Sequence, residues 1–485
     1  MNNTLKRIFE VYVIALAFLF ASRPINDPDF WFHLKTGEYI IKTGLMPRAE
    51  TFSCTNLGQP WNAHQWLSGV LFYTAFTHLG PKLLIFMFAV FGALGFWLIF
   101  RRSSEHIYLR GLVILLGVWT AVPNMGVKPR VFSLLFVSIY FIVLNNYLGG
   151  SKSKSLWWLV PLMILWVNLH GAFLVGLVLI GLTVVGGLFD SLVAREEFGS
   201  SVARLKTLTL ILLACFVATF LNPYGPGIYY YILGVLSSPV YQNTVIDWLS
   251  PNFHQPELFP LTILILSAIG TLVLSPKRPR PSELLFFAAT LYMTLKMQRN
   301  AMIFAVIASS LLADYSGHLW ESIFKRASPN ASVLTVGFQP APLNLLLLLP
   351  LVLFVMKVKN VVYGPVSQQT SAVPIKAVEY LNAHAKVGCT FTDPNVWGAY
   401  LLWAAPSNPA YIDGRDVYPM PFVREYLEII QGQRDWHGPF ERYGVSNVIL
   451  AKTSVLTMQM KNSPDWERAY EDDYSVVFTK RSLEH

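Results

Sequence analysis

Charge is what this sequence has least of. Of its 485 residues only 13% are Asp, Glu, Lys or Arg, whereas 54% are hydrophobic; the mean hydropathy is +0.45. A soluble domain carries about 25% charged residues. The composition therefore excludes an ordinary globular fold and implies a polytopic α-helical membrane protein. Cysteine is scarce as well: Cys54, Cys215 and Cys389 form no metal-ligand spacing and no disulfide framework. No Gly-rich phosphate loop, no H-E-x-x-H and no G-x-S-x-G occurs, so P-loop, zincin and serine-hydrolase chemistry lack their motifs. The net charge of +9 does not call for nucleic acid. In a membrane protein, surplus Lys and Arg collects in cytoplasmic loops and sets orientation.

What is present is a series of apolar runs, at 8–22, 66–79, 83–100, 111–123, 131–148, 156–169, 171–189, 206–221, 258–275, 282–297, 300–314 and 343–361. Each approaches the ~20 residues that cross a bilayer. The first follows Lys6 and Arg7 and lacks a small-x-small cleavage site, so it reads as an uncleaved helix. Basic stretches "SKSKS" (151–155), "AREEFGSSVARLK" (194–206), "SPKRPRPSE" (275–283) and "FKRA" (324–327) fill every second gap. The positive-inside rule puts them, with Lys6, Arg7, Arg101, Arg102 and Arg110, in the cytoplasm. Keeping Arg101 inside requires 66–79 to be re-entrant or interfacial. The expectation is about eleven crossings, N-terminus cytoplasmic and C-terminus extracytoplasmic.

Residues 1–363 thus form a transmembrane domain with a first external loop over 23–65. Residues 364–485 form an extracytoplasmic α/β domain. In that tail "AVEYLNAHA" and "PFVREYLEIIQG" read as helices, while "CTFTD", "AYIDGR", "NVILAK" and "YSVVFTK" read as strands. Cys54 and Cys389 fall on the same side of the membrane, so a pair between them stays open.

The polar residues that orientation does not explain gather on the external side. "NDPDFWFH" places Asp27 and Asp29 beside Trp31, with His33 close by. They are either helix-end carboxylates solvated among headgroups or a general base with its orienter, and a divalent metal is left open. Burying a carboxylate among aromatics costs several kcal/mol unless it is paired or used, roughly as for any intramembrane charge. "NMGVKPR" (124–130) and "QRN" (298–300) station Lys128, Arg130 and Arg299 against the orientation rule. Such cations bind either headgroup phosphates or a substrate phosphate. His170 in "NLHG" is a structural turn residue or an inward-pointing ligand. Asp247 in "VIDWLSPNF" is a further external carboxylate. Arg415 in "IDGR" either closes an internal salt bridge or meets a ligand at the end of a strand.

The opening stretch resembles the first external loop of the GT-C glycosyltransferases: Asp29, then His33, Gly44, Pro47 and His64 in "HQW". "DPDFWFHLKTGEYIIKTGLMPRAETFS…GQPWNAHQWLSGV", "LNPYG", "QRNAMIF" and "IDGRDVY" are similar to a large group of bacterial membrane proteins assigned to that superfamily. The resemblance spans most of the chain. Phe30 stands where a paired acid would follow Asp29, and "HQW" replaces the usual H-P-P.

The resemblance implies an enzyme of the bacterial inner membrane. It would transfer a sugar from a polyprenyl-phosphate donor to a glycan, lipid or protein acceptor on the extracytoplasmic face, with inversion. Asp29 takes the role of base, with Asp27 in reserve. Lys128, Arg130, His170 and Arg299 would meet the donor phosphate, and His33, His64, Trp31, Asp247 and Arg415 would line the substrate site. A lipid-linked-sugar transporter or flippase would instead need ionisable groups at mid-bilayer, where few occur. A non-catalytic glycan-assembly subunit would have no use for Asp29.

Overall fold

The computed structural model describes residues 3–102, 106–150, 153–194, 198–327, 356, 373–384 and 386–481. Its helices run in the order α1 (Asn3–Ala21), α2 (Asp29–Thr43), α3 (Trp66–Arg102), α4 (Ile107–Ala121), α5 (Arg130–Leu148), α6 (Leu159–Leu169), α7 (Phe173–Ala194), α8 (Phe198–Ala218), α9 (Gly227–Ser237), α10 (Pro239–Thr244), α11 (Phe259–Leu274), α12 (Pro281–Lys296) and α13 (Ala301–Ala327). The tail then adds α14 (Ile375–His384), β1 (Cys389–Asp393), α15 (Val396–Ala404), α16 (Met420–Ile430), α17 (His437–Arg442), β2 (Val445–Ala451), α18 (Val455–Met460), β3 (Trp466–Glu471) and β4 (Ser475–Lys480). Among the described residues seven helices are long and apolar enough to cross a membrane. Helices suit that setting because every backbone group is satisfied within the segment. The expected run at 343–361, apart from Met356, lies outside the described residues. Two expected runs, 66–79 and 83–100, join in α3, which is interrupted at Gly80. There φ is 78° and ψ 168°, a conformation open to glycine, and Pro81 starts the next helical stretch.

Contacts divide the chain into two compact units. One comprises Met1–Pro24 and Lys82–Pro365; the other comprises Ile25–Pro81 and Val366–His485.

The first unit is a helical bundle. Toward one end lie the ion pairs of the basic gaps: Arg102 with Asp314 at 3.1 Å and His106 with Glu321 at 3.0 Å. Ser275 and Glu283 join them there through Tyr315. The segments 124–130, 245–250 and 298–300 meet elsewhere, beyond the opposite ends of α4 and α13. The two sets of contacts thus lie at different ends of α4 and α13.

The second unit is built on a mixed sheet of order β1-β2-β4-β3. β1 and β2 run parallel, and β4 is antiparallel to both of its neighbours. A parallel pair needs a crossover, and α15, α16 and α17 provide it. Core side chains include Phe391, Tyr411, Tyr426, Val448 and Phe478, all at most 1% exposed. The expected helices and three of the expected strands are present, whereas "AYIDGR" is not a strand. Only Ala410 bridges its neighbours, after which the chain turns. The Asp413 carboxylate accepts the Arg415 backbone N–H at 2.9 Å, a local bond that competes with a ladder.

The first loop folds with this sheet. Ser53 and Thr390 both bridge Ala410 in parallel, so residues 53–54 extend the β1 edge. The Cys54 N–H donates to the Ala410 carbonyl at 3.1 Å, and a Cys54–Cys389 disulfide closes the junction across 335 residues of sequence. α2 packs on α15 and crosses α3 where two glycines meet. A Cβ on Gly37 would stand 2.0 Å from the Gly69 carbonyl oxygen.

Candidate active site

Two clusters of polar groups stand out, one in each unit. The carboxylate cluster begins where Pro28, with φ −59°, leads the chain into α2. Asp29 is the first residue of that helix, half-buried, in the turn where the macrodipole favours a negative charge. Asp27 Oδ1 accepts the Asp29 N–H at 3.3 Å, which gives Asp27 a capping task. Both expected carboxylates thus stand at the start of α2.

Behind Asp29 the helix buries its aromatics. Trp31 is 5% exposed and edge-on to Tyr400 at 4.8 Å, so its indole packs within the unit. His33 and His64 line a cavity of about 40 Å³ with Trp61, Gln65, Trp66, Arg415 and Asp416. Burial, with a smaller part from the charge of His64, pulls the His33 imidazole down to about 3. His33 is therefore a neutral imidazole at ordinary pH, suited to hydrogen bonding and unsuited to binding an anion by charge. His64 lies 2.8 Å from the Gln65 side chain.

Arg415 closes the internal salt bridge. Its guanidinium meets Glu50 at 2.6 Å and Asp413 at 2.7 Å, with all three side chains at most 1% exposed. It also lies over the Trp61 ring at 4.7 Å and the Phe52 ring at 5.2 Å. Burial alone would raise the Asp413 carboxyl, but the adjacent Arg415 charge and hydrogen bonds hold it below its ordinary value. Tyr418 donates to the same carboxylate at 2.8 Å. Glu50 escaped the sequence reading, because nothing local in "RAETFS" marks it as the partner of an arginine 365 residues away.

The cation cluster unites three stretches that the sequence singled out separately. Arg130 opens α5 and forks between Asn124 at 2.7 Å and Asp247 at 2.8 Å. Gln298 holds the 245–250 segment through the Leu249 and Ile246 carbonyls at 2.9 and 2.6 Å. Arg299 lies over the Trp248 ring at 4.9 Å. Burial works to raise the Asp247 carboxyl, yet the Arg130 charge and hydrogen bond, with Lys128 and Arg299 beyond, lower it. Lys128, Arg130 and Arg299 thus all act on one carboxylate, and such cations suit an anion. His170 is used otherwise. It is 6% exposed, and its Nδ1 pairs with Ser133 Oγ at 2.7 Å, an oxygen that also accepts the Trp166 indole N–H at 2.7 Å.

Among the described residues no group of three or more His, Cys, Asp or Glu side chains could hold a metal ion.

No protein-family model and no curated protein matches the sequence. Solved structures match the fold. Archaeal oligosaccharyltransferase AglB from Archaeoglobus fulgidus, in complex with an inhibitory peptide and a dolichol-phosphate, superposes with a TM-score of 0.57 at 11% identity. That match covers 92% of this chain and 70% of that one. ArnT from Cupriavidus metallidurans bound to undecaprenyl phosphate gives a TM-score of 0.50 at 13% identity, covering 100% and 99% of the two chains. Its apo state gives 0.51 at 15% identity, covering 96% and 97%. The chain shares the fold of these solved structures. Identity at this level carries the architecture and leaves the chemistry to the side chains. Those side chains supply one half-buried carboxylate at a helix start and a separate set of cations around Asp247.

Proposed function

We propose that this GT-C protein is an inverting membrane glycosyltransferase that takes a sugar from a polyprenyl-phosphate carrier. The observation that carries the reading is the cation cluster, in a fold whose solved neighbours hold dolichol-phosphate and undecaprenyl phosphate. Lys128, Arg130 and Arg299 bind the phosphate and stabilise it as charge develops on the leaving group. Asp29 accepts the proton of the acceptor hydroxyl. That oxygen bonds to the anomeric carbon as the bond from carbon to phosphate oxygen breaks, and polyprenyl phosphate departs with the electron pair. The basic gaps face the cytoplasm of a bacterial inner membrane, and the tail lies outside. The Cys54–Cys389 disulfide supports that placement, since such bonds persist in oxidising compartments. A glycan, lipid or protein supplies the hydroxyl.

The test is release of polyprenyl phosphate from a panel of polyprenyl-phosphate sugars, comparing wild type with Asp29→Asn. Loss of a general base lowers the rate by about 10²–10⁴-fold. Carrier binding, which rests on the cations, is expected to persist in Asp29→Asn. Release from no donor, with lipid-linked sugar still bound, would replace catalysis by binding or transport. Unfolding of Asp29→Asn would make the carboxylate structural.

A further inference from the structure

We infer that the tail turn Asp413–Gly414–Arg415 is the positioning element for the Asp29 carboxylate. The inference rests on the proposed role of Asp29, but its geometry stands apart from that role. A Cβ placed on Gly414 would lie 3.0 Å from Asp29 Oδ1. Outside the neighbouring residues of the chain, no other described atom comes within 4 Å of that point. The carboxylate therefore rests against bare backbone of the tail, at a spot where a side chain would compete for its space.

The turn itself has no room to give. Arg415 ties it to Glu50 at 2.6 Å and to Asp413 at 2.7 Å. Thr55 Oγ1 donates to the Tyr411 carbonyl at 2.6 Å, and Asn56 Nδ2 donates to the Val417 carbonyl at 2.7 Å. On the other face Gly398 of α15 comes so close that a Cβ there would stand 1.9 Å from the Ile412 carbonyl oxygen. With the turn clamped from both sides, a methyl at position 414 is accommodated by movement of Asp29. Arg415 holds the turn, and through it the backbone that faces the carboxylate. The sharp "IDGR" signature then has a reason for each residue: Asp413 and Arg415 lock the turn, and Gly414 leaves the gap.

The experiment compares Gly414→Ala with wild type and with Gly438→Ala, a tail glycine with nothing within 4 Å of its would-be Cβ. Carbodiimide labelling of carboxyl groups, followed by mass spectrometry, reads the ratio of Asp29 to Asp27 modification in one peptide. Gly414→Ala is expected to shift this ratio at least threefold, and Gly438→Ala to leave it unchanged. The same proteins are assayed for polyprenyl-phosphate release. A displacement of a few tenths of an ångström is expected to lower kcat about tenfold with KM for the donor within twofold, since misplacement by 1 Å costs about 10²-fold. An unchanged labelling ratio in Gly414→Ala overturns the inference. A shifted ratio with unchanged kcat keeps the positioning and removes Asp29 as the base; a shifted ratio when the wild type shows no transfer keeps the positioning while the proposed transferase reading fails.

Discussion

Arg415→Met separates an energetic role for the buried triad from an incidental one. The substitution keeps the length and most of the volume of the side chain but removes its charge. Glu50 and Asp413 are then left with side chains 0% exposed and no cation. Each contact is worth about 4 kcal/mol in gross Coulomb terms, for charge centres ~4 Å apart at an effective dielectric of 20. Desolvation of the three groups offsets much of that gain. The loss on breaking such a pair is nevertheless about 3–5 kcal/mol, because the stranded carboxylates keep their desolvation cost without their partner. At about 2–4 °C per kcal/mol for a body of this size, the melting transition should fall by about 10 °C. Thermal unfolding of the detergent-solubilised protein measures it directly. The sign also reverses with pH. In wild type Arg415 holds Asp413 low, so that contribution is lost as pH falls through its depressed value. In Arg415→Met burial pushes Asp413 up instead, and the deficit should shrink as pH falls and it protonates. Glu50→Gln and Asp413→Asn added to Arg415→Met should restore most of the loss. A single mutant melting within 2 °C of wild type would refute the reasoning.

Two further outcomes follow from the same geometry. His33, held at about 3 by burial, stays neutral in the folded chain while the unfolded chain binds a proton below ~6.5. Stability should therefore fall as pH drops from ~6.5 toward 3, by up to about 1.4 kcal/mol per unit, and a His33→Gln protein should show a flatter curve; equal slopes in urea titrations of the two would contradict the burial. Asp247→Asn removes the carboxylate paired with Arg130 at 2.8 Å and should tighten polyprenyl phosphate binding about fivefold, the scale of one ion pair near a surface. Weaker binding by native mass spectrometry would show instead that Asp247 organises the cations for the ligand.

The two clusters differ in how far the sequence could reveal them. Lys128, Arg130 and Arg299 were legible because they break a rule that operates locally, loop by loop: cations on the side where surplus charge is otherwise missing. Asp247 came with them as an external acid, and only the structure shows that it is their counter-ion. His170 carried the same local signal of a polar residue near a turn. Its bond to Ser133 depends on how α5 and α6 pack, which periodicity does not encode.

The carboxylate cluster hides its main contacts at long range. Helix α2 begins right after "NDP", and three strands of the tail are short runs of consecutive buried residues. The union of residues 50–56 with 409–418 has no periodic signature, because it consists of single bridges and side-chain bonds rather than a ladder. "AYIDGR" reads as a strand for the same reason that it is not one. Its apolar start satisfies the strand pattern, but Asp413 and Arg415 spend their hydrogen bonds on each other and on Glu50. A buried arginine shared by two acids costs desolvation that a hydrophobic trio would avoid. Its retention here is explained if the turn must hold one geometry rather than merely fill space. A well-packed apolar turn could slide by a few tenths of an ångström, and a forked guanidinium between two carboxylates resists that motion in each direction. The first loop brings Asp29 and Glu50, and the tail brings the turn that both of them touch.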